Sequence, residues 1–139
     1  MVDANVLIYA VNKSDKKHKK ANHWLDHALS GNADVGFPWM AILAFLRLST
    51  KPNIFPRPLT LITAHDIVNN WLAQPSAMVI NPTDRHLKIS FDLLQELGSA
   101  GNLINDAHLA ALAIEYNATV ITFDTDFGRF KNVAWQVPE

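Results

Sequence analysis

The stretch GNLINDAHLAALAIEYNATVITFDTDF, Gly101 to Phe127, decides the fold. Leu109, Ala110, Leu112, Ala113 and Ile114 recur at helical spacing, which predicts a helix over Asn105–Tyr116 with a broad apolar side. Asn117 tolerates the left-handed backbone on which helices stop. Thr119–Phe123 is β-branched and aromatic and reads as a buried strand. A helix descends roughly 15 Å from Asp106 to Tyr116 at its usual rise per residue. A strand climbs back about 17 Å from Thr119 to Asp124. The two lengths nearly cancel, so Asp106 and Asp124 share one level, at the carboxyl end of the strand. That edge is where α/β proteins bind ligands.

Working outward, short strands alternate with helices. Met1–Asp3 reads as the end of a strand, Asp34–Phe37 and Ala77–Ile80 as strands, and Val133–Val137 as a final edge strand. Helices are predicted through Val6–Val11 with Asn5 as cap, over Asp15–Leu29, and over Trp39–Ser49 after Pro38. Another opens at a Thr63–Asp66 capping box and ends near Ala73, and one more runs from Asn81–Thr83 through Leu97. This alternation calls for a mostly parallel sheet covered on both faces. Only two residues precede Asp3, so the first strand is expected to be clipped or to begin upstream of Met1. No repeat or linker divides the chain, and residues 1–139 read as a single domain.

Composition narrows the function. With 49% hydrophobic and 18% charged residues the chain builds a core and is not disordered. It has no cysteine, which removes disulfides, thiolate zinc sites and thiol nucleophiles. No apolar run reaches membrane length, and Val6–Val11 is too short for a signal peptide, so a cytoplasmic location is expected. A net charge of −1 gives no global field for nucleic acid. Yet five of the twelve basic residues fall in KSDKKHKK, Lys13–Lys20. That run reads either as the solvated start of a helix or as a phosphate-contacting arm.

The chemistry gathers at the carboxyl edge. Asp3 ends the first strand and points there. Helices that follow parallel strands begin there, which brings Asp106. Asp3, Asp106, Asp124 and Asp126 thus converge from distant parts of a chain with only thirteen acids. Crowded carboxylates disfavour joint ionisation, and an all-oxygen set suits Mg²⁺ or Mn²⁺ and not zinc. Such sites handle phosphate chemistry through activated water. On spacing alone the ordinary roles stay open: Asp106 complementing a helix dipole, Asp124 and Asp126 shaping a turn, Asp3 a lone loop carboxylate. His23 and His27 stand one helical turn apart in HWLDH but lack the glutamate of a zinc motif. His108 reads as packing and not as a general base, and the four tryptophans read as core.

Three segments, VDANVLIYA, GNLINDAHLAALA and ATVITFDTDF, resemble the PIN-domain family, and most of all the VapC-type ribonuclease toxins of bacterial toxin–antitoxin systems. GFPWMAILAFLRLSTKPNIFPRPLT also resembles a segment found in one branch of those toxins. The resemblance spans nearly the whole chain. It implies a three-layer α/β/α sandwich with a parallel sheet of about five strands. It implies Mg²⁺- or Mn²⁺-dependent cleavage of RNA, a homodimer, and a cognate antitoxin that inserts a C-terminal segment into the active groove. By motif, Asp3, Asp106 and Asp124 are the implied metal ligands, with Asp126 a close supporting acid. Asn5 and Thr122 match positions that orient the carboxylates or the water. One position departs from the pattern: the residue before Phe45-Leu46-Arg47 is Ala44, where the family commonly carries glutamate. That puts the number of metals in question.

Two other readings follow from the same residues. One is an RNA- or partner-binding module whose metal site is degenerate. The other is a phosphotransfer enzyme with Asp3 as nucleophile, disfavoured because Asn5 stands two residues on, where that chemistry expects an acid.

Overall fold

Side chains alternate along a strand, and in this chain the alternation sorts the interior into two cores. In the computed structural model, which describes residues 1–139, Val2, Val35, Phe37 and Ile121 point into one core, and Met1, Ile80 and Val120 into the other. The first core is closed by α1 (Ala4–Val11), α2 (His18–Leu29), α3 (Trp39–Ser49) and α4 (Leu61–Leu72). The second is closed by α5 (His86–Leu97), α6 (Ile104–Glu115) and Phe127 and Phe130 from a 3₁₀ turn. Helices therefore cover both faces of the strands, the layering that the alternation of elements predicts.

The strands are short. β1 (Val35–Pro38) pairs in parallel with β2 (Ala77–Ile80). β3 (Val120–Ile121) pairs in parallel with β4 (Trp135–Gln136). Met1–Asp3 lies between the two pairs. Val2 N donates to Gly36 O at 2.9 Å, Asp3 N to Ile121 O at 3.0 Å, and Ile121 N to Met1 O at 2.8 Å. Val2 and Ile121 form an isolated parallel bridge. The sheet of about five strands is thus not one continuous ladder. It is two parallel pairs with the first segment laced between them, by one backbone bond to β1 and three to Thr119–Ile121.

Local chemistry moved three helix starts. Asp3, and not Asn5, caps α1: its Oδ1 accepts from Ala4 N at 2.6 Å. α2 begins at His18 and not at Asp15, because Asp15 Oδ1 takes the Lys17 N–H at 2.8 Å and offers the backbone a turn instead of a helix. The Thr63–Asp66 box does not form. Thr60 caps α4 by accepting from Thr63 N at 3.1 Å, so Thr63 lies inside the helix. Asn117 takes the left-handed backbone expected of it, at φ +48°. Three of the four tryptophans are partly buried, but Trp39, at the start of α3, is 49% exposed and is not core.

Gly36 on β1 lies close against Ile80 of the neighbouring strand β2. A Cβ there would sit 2.8 Å from Ile80 Cγ1 and 3.0 Å from its Cδ1. Gly36→Ala is therefore expected to destabilise the fold by about 1–3 kcal/mol, the usual cost of overpacking. Because the clash is with one side chain, the double variant Gly36→Ala/Ile80→Ala should lose less than the sum of the two single losses. Urea unfolding of the three variants measures both.

Candidate functional site

Thr122 ends the short ladder of β3 and is fully buried. Its hydroxyl donates to Asp3 Oδ2 at 2.7 Å. It accepts from Asn5 Nδ2 at 3.0 Å and from Asp124 N at 3.0 Å. A hydroxyl has one proton and two lone pairs, so these three bonds saturate it. Asn5 completes the clasp: Nδ2 also donates to Asp3 Oδ2 at 3.0 Å, and Oδ1 accepts from Phe123 N at 3.1 Å. The start of the chain is thereby tied, side chain to side chain, to the end of β3. The Asn5 and Thr122 positions singled out in the sequence act here as holders of Asp3.

Asp124 caps the 3₁₀ turn Thr125–Arg129, its Oδ1 accepting from Asp126 N at 2.9 Å. Asp126 is largely exposed and turned toward Arg129, which reaches its Oδ2 at 2.9 Å and its backbone oxygen at 2.8 Å. Asp106 stands in the first turn of α6. Asp3 feels the negative charge of both Asp106 and Asp124, so the three carboxylates share one neighbourhood. As the side chains stand, no three acid or histidine groups close into a ligand set around a single point.

Burial raises the carboxyl pKa of Asp3. The Thr122 hydroxyl and the Ala4 N–H oppose that rise, and Asp106 and Asp124 add to it. Burial also raises Asp106, with Asp124 and Asp126 adding and Arg129 opposing. A largely buried carboxylate held by fixed donors, with two more acids in its neighbourhood, is the environment a hard divalent cation relieves, and the donor set is all oxygen. Asp3, Asp106 and Asp124 therefore fit Mg²⁺ or Mn²⁺ in chemistry.

Arg129 was not singled out from the sequence. Its signal was the acid–arginine spacing of Asp126 and Arg129 across a single turn. Other candidates lie apart from the acids. His108 is about 200° around α6 from Asp106 at helical spacing. It faces α5, where its Nδ1 lies 2.8 Å from His86 Nε2, and His86 Nδ1 lies 2.6 Å from Glu115 Oε2. It ties two helices together and is no base at the acidic edge. His23 and His27 stack on the exposed side of α2 without a third ligand. Ala44 is half-buried on α3, and no acid lies between Asp34 and Asp66. A cavity of about 590 Å³ opens at the opposite, amino edge of the strands beside Met1, Gly36 and Thr119.

Comparison with known proteins places the chain among relatives. A family model described as PIN domain matches residues 1–133. Ribonuclease VapC37 of Mycobacterium tuberculosis is 53% identical over 138 residues, covering 99% of this chain and 96% of that protein. Ribonuclease VapC33 of the same species is 37% identical over 136 residues, covering 98% and 95%. The fold matches VapBC2 from Rickettsia felis, solved bound to a DNA fragment from its promoter, with a TM-score of 0.71 at 19% identity, covering 100% of this chain and 98% of that one. It also matches VapBC-1 from nontypeable Haemophilus influenzae, with a TM-score of 0.68 at 18% identity, covering 99% and 96%.

The raised carboxyls set a pH dependence. A group whose pKa is higher folded than unfolded stabilises the fold most below its unfolded value. That contribution is lost as pH rises through the interval up to the folded value. With divalent ions chelated, Asp106→Asn removes this loss. Its melting temperature at pH 7 is expected to exceed that of the wild type, and the gap should close toward pH 3. Calorimetry across that range in EDTA checks it. Thr122→Val strands the partners of a saturated hydroxyl and should cost about 1–3 kcal/mol, read by urea unfolding.

Proposed function

The chain belongs to the PIN-domain family, and from that premise we propose that it is an endoribonuclease toxin. It cleaves RNA phosphodiesters with Mg²⁺ or Mn²⁺, and a cognate antitoxin neutralises it in the cytoplasm. The observation that carries the reading is the clasp of Thr122, Asn5 and Asp3, which holds an N-terminal carboxylate in the field of Asp106 and Asp124. The ribonuclease names of the relatives support the activity.

In this reading Asp3, Asp106 and Asp124 hold the ion. A divalent cation there lowers the pKa of water and offsets the charge that develops on the phosphate. Asn5 and Thr122 fix the angle of Asp3 and keep one of its oxygens occupied. Asp126 acts through Arg129: their pairing keeps a guanidinium at the acidic rim, where it tempers the charge an approaching phosphate meets. This reading involves no covalent intermediate on Asp3.

Apolar side chains left exposed support the partners. Trp39 and Leu43 stand about one turn apart on α3, Leu61 and Ile62 adjoin on α4, and Leu87 and Phe91 stand one turn apart on α5. A second copy of the chain and the apolar segment of an antitoxin would cover them. No helix is long and apolar enough to cross a membrane.

Ala44 and the unclosed ligand set favour a second reading: a PIN-like module that binds RNA or a partner through a degenerate, weakly active metal site. The two part on one assay. The toxin reading expects RNA cleavage with Mg²⁺ that EDTA abolishes. It expects Asp124→Asn to lower the rate by on the order of a hundredfold or more while its circular dichroism matches wild type. Equal cleavage by purified Asp124→Asn and wild type in Mg²⁺ would rule out the mechanism. RNA bound equally with and without Mg²⁺, and left intact, would establish the module.

A further inference from the structure

Lys13, Lys16, Lys17, Lys19 and Lys20 make one basic run, and none of them pairs with a carboxylate. Lys13, Lys16, Lys19 and Lys20 are exposed, whereas Lys17 is half-buried. The Lys17 ammonium lies 4.8 Å from the ring centre of Tyr9 and 5.3 Å from that of Phe123. Those rings meet edge to face at 5.3 Å. Phe123 is the residue between Thr122 and Asp124, and its N–H is held by Asn5. The His18 ring fixes the same run to the Tyr9 carbonyl at 2.9 Å. The basic run is thus an ordered segment held against α1 and the Phe123 ring.

Its composition works against local stability. α2 has no acid in its first turn and no side-chain cap, and its lysines crowd the end where the backbone dipole disfavours cations. Departures from a local rule are expected where a site has a function to serve. The need is visible in the charge balance: the chain is net negative and its site is rimmed with aspartates, so a polyanion gains attraction only from a local basic surface.

We propose that Lys13, Lys16, Lys19 and Lys20 contact the phosphates of the RNA beside the cleavage position, and that Lys17, set on Tyr9 and Phe123, anchors this arm next to Asp124. Exposed lysines on flexible stems, with no large apolar side chain among them, suit a phosphate backbone better than a protein groove. The inference rests on the endoribonuclease reading and names how that enzyme holds its substrate.

The test compares two triple variants of equal charge change in the Asp124→Asn protein. One is Lys13→Gln/Lys16→Gln/Lys19→Gln in the arm. The other is Lys51→Gln/Lys88→Gln/Lys131→Gln elsewhere. Affinity for a mixed-sequence single-stranded 20-nucleotide RNA is read as a function of salt. Each phosphate contact on a single strand contributes about 0.7 to the slope of log affinity against log salt. The arm triple should flatten the slope by about 2 and the control triple should leave it near the parent value. Equal slopes for the two triples would overturn the proposal. So would an arm triple that keeps the parent RNA slope but loses antitoxin binding, which would assign the lysines to the protein partner. If the parent protein fails to bind RNA and the wild type fails to cut it, the endoribonuclease reading itself falls and takes the arm with it.

Discussion

The site depends on one buried hydroxyl. Thr122 Oγ1 has three bonding positions and uses all of them, on Asp3, Asn5 and Asp124. Asn5 adds a second tie, from Asp3 to Thr122 and Phe123. The backbone offers little redundancy, because β3 is two residues long and Met1–Asp3 is joined to β1 by one bond. A longer ladder would fix the register of Asp3 without help. Here the side-chain clasp does that work, and its position at the end of a strand puts the carboxylate on the ligand-binding edge.

The same clasp explains how the chain tolerates its own repulsion. Burial and neighbouring acids push Asp3 toward its neutral form, while the donors on it favour the charged form. The structure holds these tendencies in opposition. Arg129 plays the equivalent part for Asp106 from the far side. A fold selected for stability alone would separate these acids. Holding them together, with fixed donors and one cation, is the pattern of a site poised for an external positive charge.

Much of this was legible in the sequence, for physical reasons that differ from residue to residue. Asp106 and Asp124 were placed together by the lengths of one helix and one strand, quantities that context barely changes. Helix α3 and strand β2 were read at their observed bounds because an apolar run ended at unambiguous turn residues. The caps were misread where two candidates stood close together: Asn5 against Asp3, and Thr63 against Thr60. Cap choice depends on which residue is still extended, and a sequence does not show that. Arg129 and the seat of Lys17 on Phe123 escaped because both are tertiary facts. The lysine lies more than a hundred residues from its ring, and no periodicity links them. The continuity of the sheet was not legible, because alternation and apolarity mark where strands run, whereas the number of bonds that close between them depends on packing.

Ala44 belongs with the lysines and not only with the metal. Under the proposed reading this position faces the acidic edge, as the resemblance implies, and an acid there would add to four aspartates set against one arginine, a formal charge of three negative. A divalent ion would leave that rim at about one negative charge, close enough to neutral for a basic run beside it to decide whether a phosphate approaches. With a further carboxylate the rim would stay more negative after the ion bound, and the same five lysines would have more repulsion to offset. The missing glutamate and the unpaired lysines thus shift the local field in the same direction. Under the proposed reading they are one adjustment: weaker hold on cations at α3, compensated by a stronger hold on the polyanion at the start of α2.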